Sequence, residues 1–166
     1  MVGAMMTDQE SAFVEEMGQV LASYGMTPMA GRMWGWLLIC DPPEQTAGDI
    51  ADALHASRGA ISGTARILSS AGFIRRSTRP GDRREYFSAP PEALEQFMGS
   101  AGRVYRQLRE LMEQGLAAMD GRSTKDRERL QELHDVMAFI ETEVPALLER
   151  YQRDRATRSG KKGATR

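Results

Sequence analysis

Two helices separated by only three residues are the strongest local signal in this sequence. The Thr46 hydroxyl can cap the first helix by accepting a hydrogen bond from the amide of Asp49, whose carboxylate reaches back to Thr46. After residues 55–57, the Ser57 side chain can cap the second helix, and Gly72 is placed for its left-handed C-terminal cap. Two short helices joined this closely indicate a helix-turn-helix, around which the rest of the chain must pack.

A hairpin is predicted directly after the second helix. Residues 73–77 and 84–88 have the pattern of two short strands. Pro80-Gly81 between them suits a type II turn, because glycine readily takes the positive φ of the third turn position. The residues around the turn are polar and basic, so the hairpin tip is expected to project from the body as a wing.

The net charge of −1 conceals a strong segregation of charge along the chain. Residues 1–56 carry one basic and eight acidic side chains, whereas residues 57–88 carry seven arginines against two acidic residues. Residues 89–149 are acidic again, and residues 150–166 carry seven basic residues and one acidic residue. Ordinary surface charge is the alternative, but arginine is the side chain best suited to paired hydrogen bonds with phosphates and bases. The pattern favours nucleic acid as the partner of residues 57–88.

The second helix of the pair has a core face and an outward face. Ile61, Ala65 and Leu68 share the core face, and small or basic residues occupy the opposite one. Small residues let the helix backbone approach a DNA major groove closely, while serine and arginine can hydrogen-bond phosphates or base edges. A merely weak helix is the alternative, although each glycine costs up to about 1 kcal/mol in a helix interior. The predicted DNA contacts are Ser57, Arg58, Gly59, Ala60, Ser62, Gly63 and Arg66.

Three arginines surround the predicted hairpin turn, and we count them among the DNA contacts: Arg79, Arg83 and Arg84. An arginine at such a tip can insert into a narrow, A·T-rich minor groove beside the major-groove site of the helix. Asp82 is expected to orient one of these arginines through an ion pair rather than to touch DNA. A solvated hairpin tip without a ligand is the alternative.

Apolar residues at helical spacing flank this module on both sides. Residues 92–151 carry two long helices that break at 120–123, and their apolar stripes must be buried in a homodimer or in the bundle of a monomer. A homodimer would place two recognition helices about 34 Å apart, as a pseudo-palindromic DNA site requires. We therefore predict a mainly α fold with a small β-hairpin, a winged helix-turn-helix with N- and C-terminal dimerisation helices. Its parts are an N-terminal dimerisation or packing helix (1–27), the winged helix-turn-helix (28–89), a C-terminal helical dimerisation region (90–151) and a basic, disordered tail (152–166).

These residues resemble a known family of regulators. Three segments are similar to the MarR superfamily of winged-helix regulators: Ser57-Arg58-Gly59-Ala60-Ile61-Ser62, Leu68-x-x-Ala-Gly72-Phe-Ile74 and Gly81-Asp82-Arg83-Arg84. Met29-Ala30-Gly31-Arg32-x-x-Gly35, with the helix from Thr46 to Leu54, is more similar to the GbsR branch of that superfamily. The resemblance is densest over residues 28–88 and implies a homodimeric repressor or activator, with Arg83 or Arg84 in the minor groove. A Leu-Thr pair often follows the second wing strand in this superfamily, whereas Ala89-Pro90-Pro91 stands here.

Regulators of this kind often respond to a small-molecule effector held between the dimerisation helices and the DNA-binding lobes. Tyr24, Trp34 and Trp36 lie near that junction in the sequence, and an aromatic pair could hold a cationic or planar ligand by stacking. Packing in the core or at an interface is the plainer interpretation of these rings. Cys40 could similarly be a redox sensor, but its apolar neighbours favour a buried structural thiol.

Other functional classes find little support in the sequence. The two histidines and one cysteine lack the spacing of a zinc site or a catalytic triad, so we predict neither an enzyme nor a metal or other cofactor. A winged helix that binds only other proteins is the alternative function, although the basic wing argues against it. The chain has a single cysteine, an N-terminus unlike a signal peptide and no apolar run of about 20 residues. These three observations favour a cytoplasmic protein that does not enter membranes. The basic tail could add nonspecific DNA affinity or be solvated disorder.

Overall fold

The computed structural model describes residues 6–163, except for the side chains of residues 94, 96, 97, 100, 101 and 159–163. Within this part the prediction of a mainly α fold with a small antiparallel hairpin is confirmed. The chain divides into two compact units, one ending at Leu94 and one beginning at Glu95. None of the described helices combines the length and apolar character that crossing a bilayer requires. In chain order the elements are α1 (Asp8–Ser23), α2 (Pro28–Ile39), β1 (Gln45–Thr46), α3 (Ala47–Ala53), α4 (Arg58–Ala71), β2 (Arg75–Thr78), β3 (Glu85–Ser88), α5 (Pro91–Ala118) and α6 (Thr124–Gly163).

The ends of α3 and α4 are capped by the residues that the sequence indicates. Thr46 Oγ1 accepts the Asp49 amide at 3.2 Å, and the Asp49 carboxylate accepts the Thr46 amide at 2.9 Å. Ser57 Oγ accepts the Ala60 amide at 3.1 Å at the start of α4. Gly72 ends α4 with φ 84°, a left-handed conformation that glycine adopts without a Cβ penalty. Local chemistry therefore sets both ends of the second helix of the helix-turn-helix.

The sheet has one strand more than the predicted hairpin. β3 lies between β1 and β2 and is antiparallel to both, with Gln45 of β1 opposite Phe87 of β3. β2 begins at Arg75 and not at residue 73, because the Phe73 amide donates to the Leu68 carbonyl at 2.9 Å and closes the last turn of α4. The hairpin turn has the predicted geometry, since Gly81 lies at φ 80° and the Asp82 amide donates to the Arg79 carbonyl at 3.0 Å.

The core of the first unit lies among α1, α2, α3, α4 and the sheet. Its largest fully buried side chains are Val14, Met33, Ile50, Leu54, Ile61 and Leu68. α1 crosses α2 at close range, because a Cβ added at Gly31 would stand 2.7 Å from the Gly18 Cα. α2 also packs against α4, so the helix-turn-helix rests on the same core as α1.

From Glu95 onwards, α5 pairs with α6 as an antiparallel helical hairpin. Glu141 of α6 accepts hydrogen bonds at 2.8 Å from both Arg106 and Arg109 of α5. These two guanidinium groups, Arg109 first, hold the pKa of the Glu141 carboxyl below its usual value. Gly121, at φ 82°, lies in the short connection between the helices, at the predicted break.

α6 is longer than the sequence pattern indicates. The helix continues to Gly163, whereas the sequence pattern favours a basic, disordered tail from residue 152, and residues 164–166 lie outside the described part. Composition does not predict this extension of α6, because one of its contacts is with a residue far away in the sequence. Glu95 of α5 pairs with Arg155, 60 residues later in the chain. Glu95 also accepts a hydrogen bond from Gln152 at 3.2 Å, so two side chains of this basic segment contact α5.

Candidate nucleic-acid interface

α4 presents its predicted outward face to solvent. All seven predicted DNA contacts on this helix and its cap are exposed: Ser57, Arg58, Gly59, Ala60, Ser62, Gly63 and Arg66. The opposite face is buried, with Thr64 added to the predicted core residues. A Cβ added at Gly63 would meet no described atom within 4 Å, and one at Gly59 would meet only Ser57 Oγ at 4.0 Å. The middle of the outward face is therefore lined by backbone and open to a ligand.

Arginine borders this open surface along the helix. Arg58 turns towards α3, because its Nη2 would lie 3.8 Å from a Cβ at Gly48. Arg66 is exposed and forms no hydrogen bond or ion pair with the residues that the structure describes. Ile67, which the sequence analysis does not single out, is 52% exposed beside Arg66. An exposed apolar side chain at this place suits contact with a thymine methyl group.

Asp82 holds the hairpin turn together. Its carboxylate accepts the Arg84 amide at 2.9 Å, the Arg84 guanidinium at 2.7 to 3.1 Å and the Tyr86 hydroxyl at 2.8 Å. These hydrogen bonds, those from the Arg84 side chain above all, keep the pKa of Asp82 well below its usual range. The hydrogen bond to Asp82 in turn raises the pKa of the buried Tyr86 hydroxyl. Asp82 and Arg84 form a two-pronged ion pair inside the turn.

Arg79 lies over the ring of Tyr86 and is paired with Glu44. Its guanidinium carbon lies 4.0 Å from the centre of the Tyr86 ring, and its Nη2 donates to Glu44 Oε2 at 2.8 Å. The hydrogen bond from Arg79 lowers the pKa of the Glu44 carboxyl. The sequence analysis missed Glu44 and Tyr86 as parts of the wing. No local signal could have revealed Glu44, because it lies 35 residues before Arg79 in a loop without a motif.

Arg83 differs from the other arginines of the turn. Its side chain is exposed and makes no hydrogen bond, ion pair or ring contact with the described residues. Arg79 and Arg84, by contrast, are both bound to carboxylates and lie against Tyr86. The structure thus separates the three predicted arginines into two that shape the turn and one whose donors are available to a ligand.

The aromatic residues predicted to hold an effector are dispersed. Tyr24 follows the end of α1 and is 81% exposed, whereas Trp36 is buried. Trp34 packs edge-on against Phe73, with ring centres 5.1 Å apart. Residues two apart on a helix point about 200° apart, so Trp34 and Trp36 lie on opposite sides of α2 and do not form one stacking site. The plainer interpretation, core packing, accounts for the contact of Trp34 with Phe73, whereas the buried Trp36 indole N–H has no hydrogen-bond partner among the described residues.

Cys40 is buried at the C-terminal end of α2. Burial raises the pKa of its thiol to about 11. The thiolate, which is the form that oxidants attack, is therefore scarce at neutral pH. Among the described residues, no cluster of three His, Cys, Asp or Glu side chains could hold a metal ion.

Comparisons with known proteins cover both units. Residues 37–86 match the model of the MarR family, and residues 92–154 match that of the MmpR5-like MarR family transcriptional regulators. The HTH-type transcriptional regulator MmpR5 of Mycobacterium tuberculosis is 41% identical over 139 residues, 84% of each protein. A crystal structure of a transcriptional regulator is 39% identical and superposes with a TM-score of 0.80, over 87% of this chain and 99% of that one. With its wing and its exposed recognition helix, the chain belongs to the MarR family of winged-helix, DNA-binding transcriptional regulators and is MmpR5-like.

Proposed function

We propose that this regulator binds pseudo-palindromic, double-stranded DNA as a homodimer, with α4 of each copy in the major groove and the hairpin turn in the adjacent minor groove. The observation that carries the proposal is the outward face of α4, where all seven predicted contact positions are small, serine or arginine, and exposed. A B-form major groove admits one helix, and the missing side chains at Gly59 and Gly63 let α4 lie deep in it.

Different side chains of this face carry different parts of the recognition. Ser57 and Ser62 supply hydroxyl groups for phosphates or base edges. Arg58 and Arg66 supply guanidinium groups that can take guanine O6 and N7 together. Ala60 supplies a methyl group for contact with thymine. Specificity would come from the arginines and the methyl contact, while the serines would set the position of the helix on the duplex.

In the hairpin turn, Arg83 is the side chain that enters the minor groove. Asp82 and Arg84 keep the turn in one conformation, and Tyr86 anchors this pair to the sheet. A narrow A·T minor groove concentrates negative potential and attracts an arginine that has no internal partner. Arg79 remains paired with Glu44 and shapes the turn at the flank of the groove.

Exposed apolar side chains on α5 and α6 support homodimerisation. On α5, Val104, Leu108 and Leu111 recur at helical spacing and are 53%, 36% and 62% exposed. The large exposed apolar residues of α6 are Leu133, Val136, Phe139, Leu147 and Tyr151. A second copy of the chain would bury these rows, because a monomer rarely leaves so much contiguous apolar surface to water. Two-fold symmetry would set the two α4 helices about 34 Å apart, one turn of the duplex.

The proposal has two further parts: a small-molecule effector controls DNA binding, and the output is repression. The protein would act in the cytoplasm and have no enzymatic activity. Trp36 supports an effector, because its buried indole N–H has no hydrogen-bond partner among the described residues, and a ligand acceptor would satisfy it. Tyr24 and Trp34 remain predicted contacts of the effector. Membership of the GbsR-like branch also stays a prediction, resting on residues 29–35.

Replacing Arg83 tests the assignment of the wing. The probe is a duplex selected from random sequences by the wild-type protein. We expect Arg83→Ala to weaken binding by about tenfold or more and to reduce the slope of log affinity against log salt by about one, since one phosphate-neutralising charge is lost. Arg129→Ala, at an exposed arginine of α6, is the matched control and should bind like the wild type.

Fluorescence anisotropy at several salt concentrations gives both quantities, and light scattering gives the mass of the assembly. An Arg83→Ala protein with wild-type affinity would rule out the minor-groove assignment. A flat salt response of the wild type would exclude the electrostatic basis of the interface. A single-chain mass at micromolar concentration would exclude the homodimer.

A further inference from the structure

Arg32 is the only basic residue among residues 1–56, a stretch with eight acidic side chains. It lies in α2, outside the surface assigned to DNA, and the proposed function gives it no role. Its side chain nevertheless contacts two other elements of the first unit, α1 and the end of α3.

The stem of Arg32 runs through a gap that Gly18 leaves in α1. A Cβ at Gly18 would stand 2.9 Å from Arg32 Cγ and 3.1 Å from the Pro28 carbonyl oxygen. Any side chain at position 18 would therefore displace the stem. The absence of one fixes the direction in which Arg32 leaves α2.

The guanidinium group joins α1 to the end of α3. Its Nε forms an ion pair with Glu15 Oε1 of α1 at 2.8 Å, outside hydrogen-bond geometry, and its Nη2 donates to the Leu54 carbonyl at 3.1 Å. The Arg32 side chain is 25% exposed and Leu54 is 1% exposed. Carbonyls at a helix C-terminus lack partners within the helix, so the hydrogen bond from Arg32 satisfies a buried acceptor that would otherwise go unpaired.

The Leu54 carbonyl belongs to the peptide that opens the turn between α3 and α4. The next residue, His55, adopts φ 50°, a left-handed conformation that residues other than glycine rarely take. The Ala56 amide then donates to the Ala51 carbonyl at 2.9 Å, and Ser57 caps α4. Because Arg32 holds the plane of the peptide before His55, it constrains the direction in which α4 leaves the turn.

We infer that Arg32 is a positioning residue for DNA recognition: it couples α1 to the helix-turn-helix turn and sets the orientation of α4 without touching DNA. The inference rests on the proposed function, because it requires α4 to be the helix that reads the duplex. Losing Arg32 would leave every DNA contact present but misoriented. Affinity should then fall while the number of neutralised phosphates stays the same.

Arg32→Met, which keeps the stem and removes the guanidinium group, is the decisive variant. With the same selected duplex as probe, we expect an affinity loss of about fivefold to tenfold and a salt slope equal to that of the wild type. In the free protein, the Ala56 amide should exchange its hydrogen faster, while the amides of Met33 and Leu37 in α2 keep their protection. Circular dichroism below the unfolding transition ensures that only folded protein is compared.

Wild-type affinity in the folded Arg32→Met protein would overturn the inference, and so would a salt slope reduced by about one, which would mean a direct phosphate contact. Glu15→Gln, at a half-exposed carboxylate, decides the question if Arg32→Met does not fold. It should lower affinity about twofold to threefold at an unchanged slope, and no change would count against the inference. If Arg83→Ala also binds like the wild type, the proposed function fails first; if only the Arg32 and Glu15 variants bind like the wild type, the positioning role alone fails.

Discussion

Two helices of the first unit carry a pair of glycines four residues apart, Gly31 and Gly35 on α2 and Gly59 and Gly63 on α4. On α2 the pair faces α1, and a Cβ at either position would lie 3.0 Å or less from atoms of that helix. On α4 a Cβ at Gly63 would meet nothing described within 4 Å. The same spacing therefore serves contact within the chain in one helix and leaves an open surface in the other.

The difference shows what a small residue in a helix can mean. A glycine weakens a helix by up to about 1 kcal/mol relative to alanine, so it needs a compensating contact. For α2 the compensation is the close approach of α1 and is already present in the folded chain. For α4 the contact is missing from the described structure, and we infer that the backbone of α4 receives it from DNA. Substitutions that add atoms at these glycines test this distinction.

Gly31→Ala should have the largest effect. Its new Cβ would lie 2.7 Å from the Gly18 Cα and within contact of the Met17 backbone, which cannot move aside as a side chain can. We expect a loss of about 3 kcal/mol in the free energy of unfolding, at the upper end of overpacking costs. Urea denaturation measures it. A stability within about 0.5 kcal/mol of the wild type would show that α1 and α2 are not in the close contact described here.

Gly63→Leu should leave stability unchanged or slightly raised, because leucine favours helices and the new side chain meets open space. DNA affinity should fall by about tenfold or more, since the side chain would hold the backbone of α4 away from the bases. Gly102→Leu in α5 is the control, because a Cβ there also meets nothing described within 4 Å. If the Gly63→Leu protein bound DNA as tightly as the wild type, Gly59 and Gly63 would not serve close contact between α4 and DNA.

Gly35→Ala sharpens the comparison from the side of α2. The new Cβ would lie 3.0 Å from Cβ and 3.2 Å from Cγ of Met17, and the end of this flexible side chain can adjust in part. We expect a loss of about 1 kcal/mol, smaller than at Gly31, with DNA affinity unchanged in the folded protein. A loss as large as that of Gly31→Ala would mean that Met17 cannot repack.

The parts of the fold that the sequence predicts correctly are those decided by neighbours in the chain. The cap at Ser57, the capping box of Thr46 and Asp49, and the left-handed Gly72 each depend on atoms within three or four residues. The turn at Gly81 is of the same kind. Periodicity likewise predicts the core face of α4, because Ile61 and Leu68 lie on one side of any helix through them.

The errors and omissions concern contacts between distant residues. β1 exists because Gln45 pairs with Phe87, and two residues cannot display a strand pattern. Arg79 forms an ion pair with Glu44, although no sequence motif relates the two residues. Because of this ion pair, the Arg79 guanidinium group is not free for DNA in the way that the sequence predicts. Trp34 and Trp36 are neighbours in the sequence but not on the helix surface, because the helical period places residues two apart on opposite faces.

The burial of Cys40 gives the protein an intrinsic reporter of its own fluctuations. With a thiol pKa of about 11, only about one sulfur in ten thousand is ionised at pH 7 in the closed state. An alkylating reagent therefore reacts mainly with chains in which the end of α2 has opened, and each chain contains a single such thiol. The alkylation rate would measure that opening without an added label, and an operator duplex or an effector that favours the closed state would slow it.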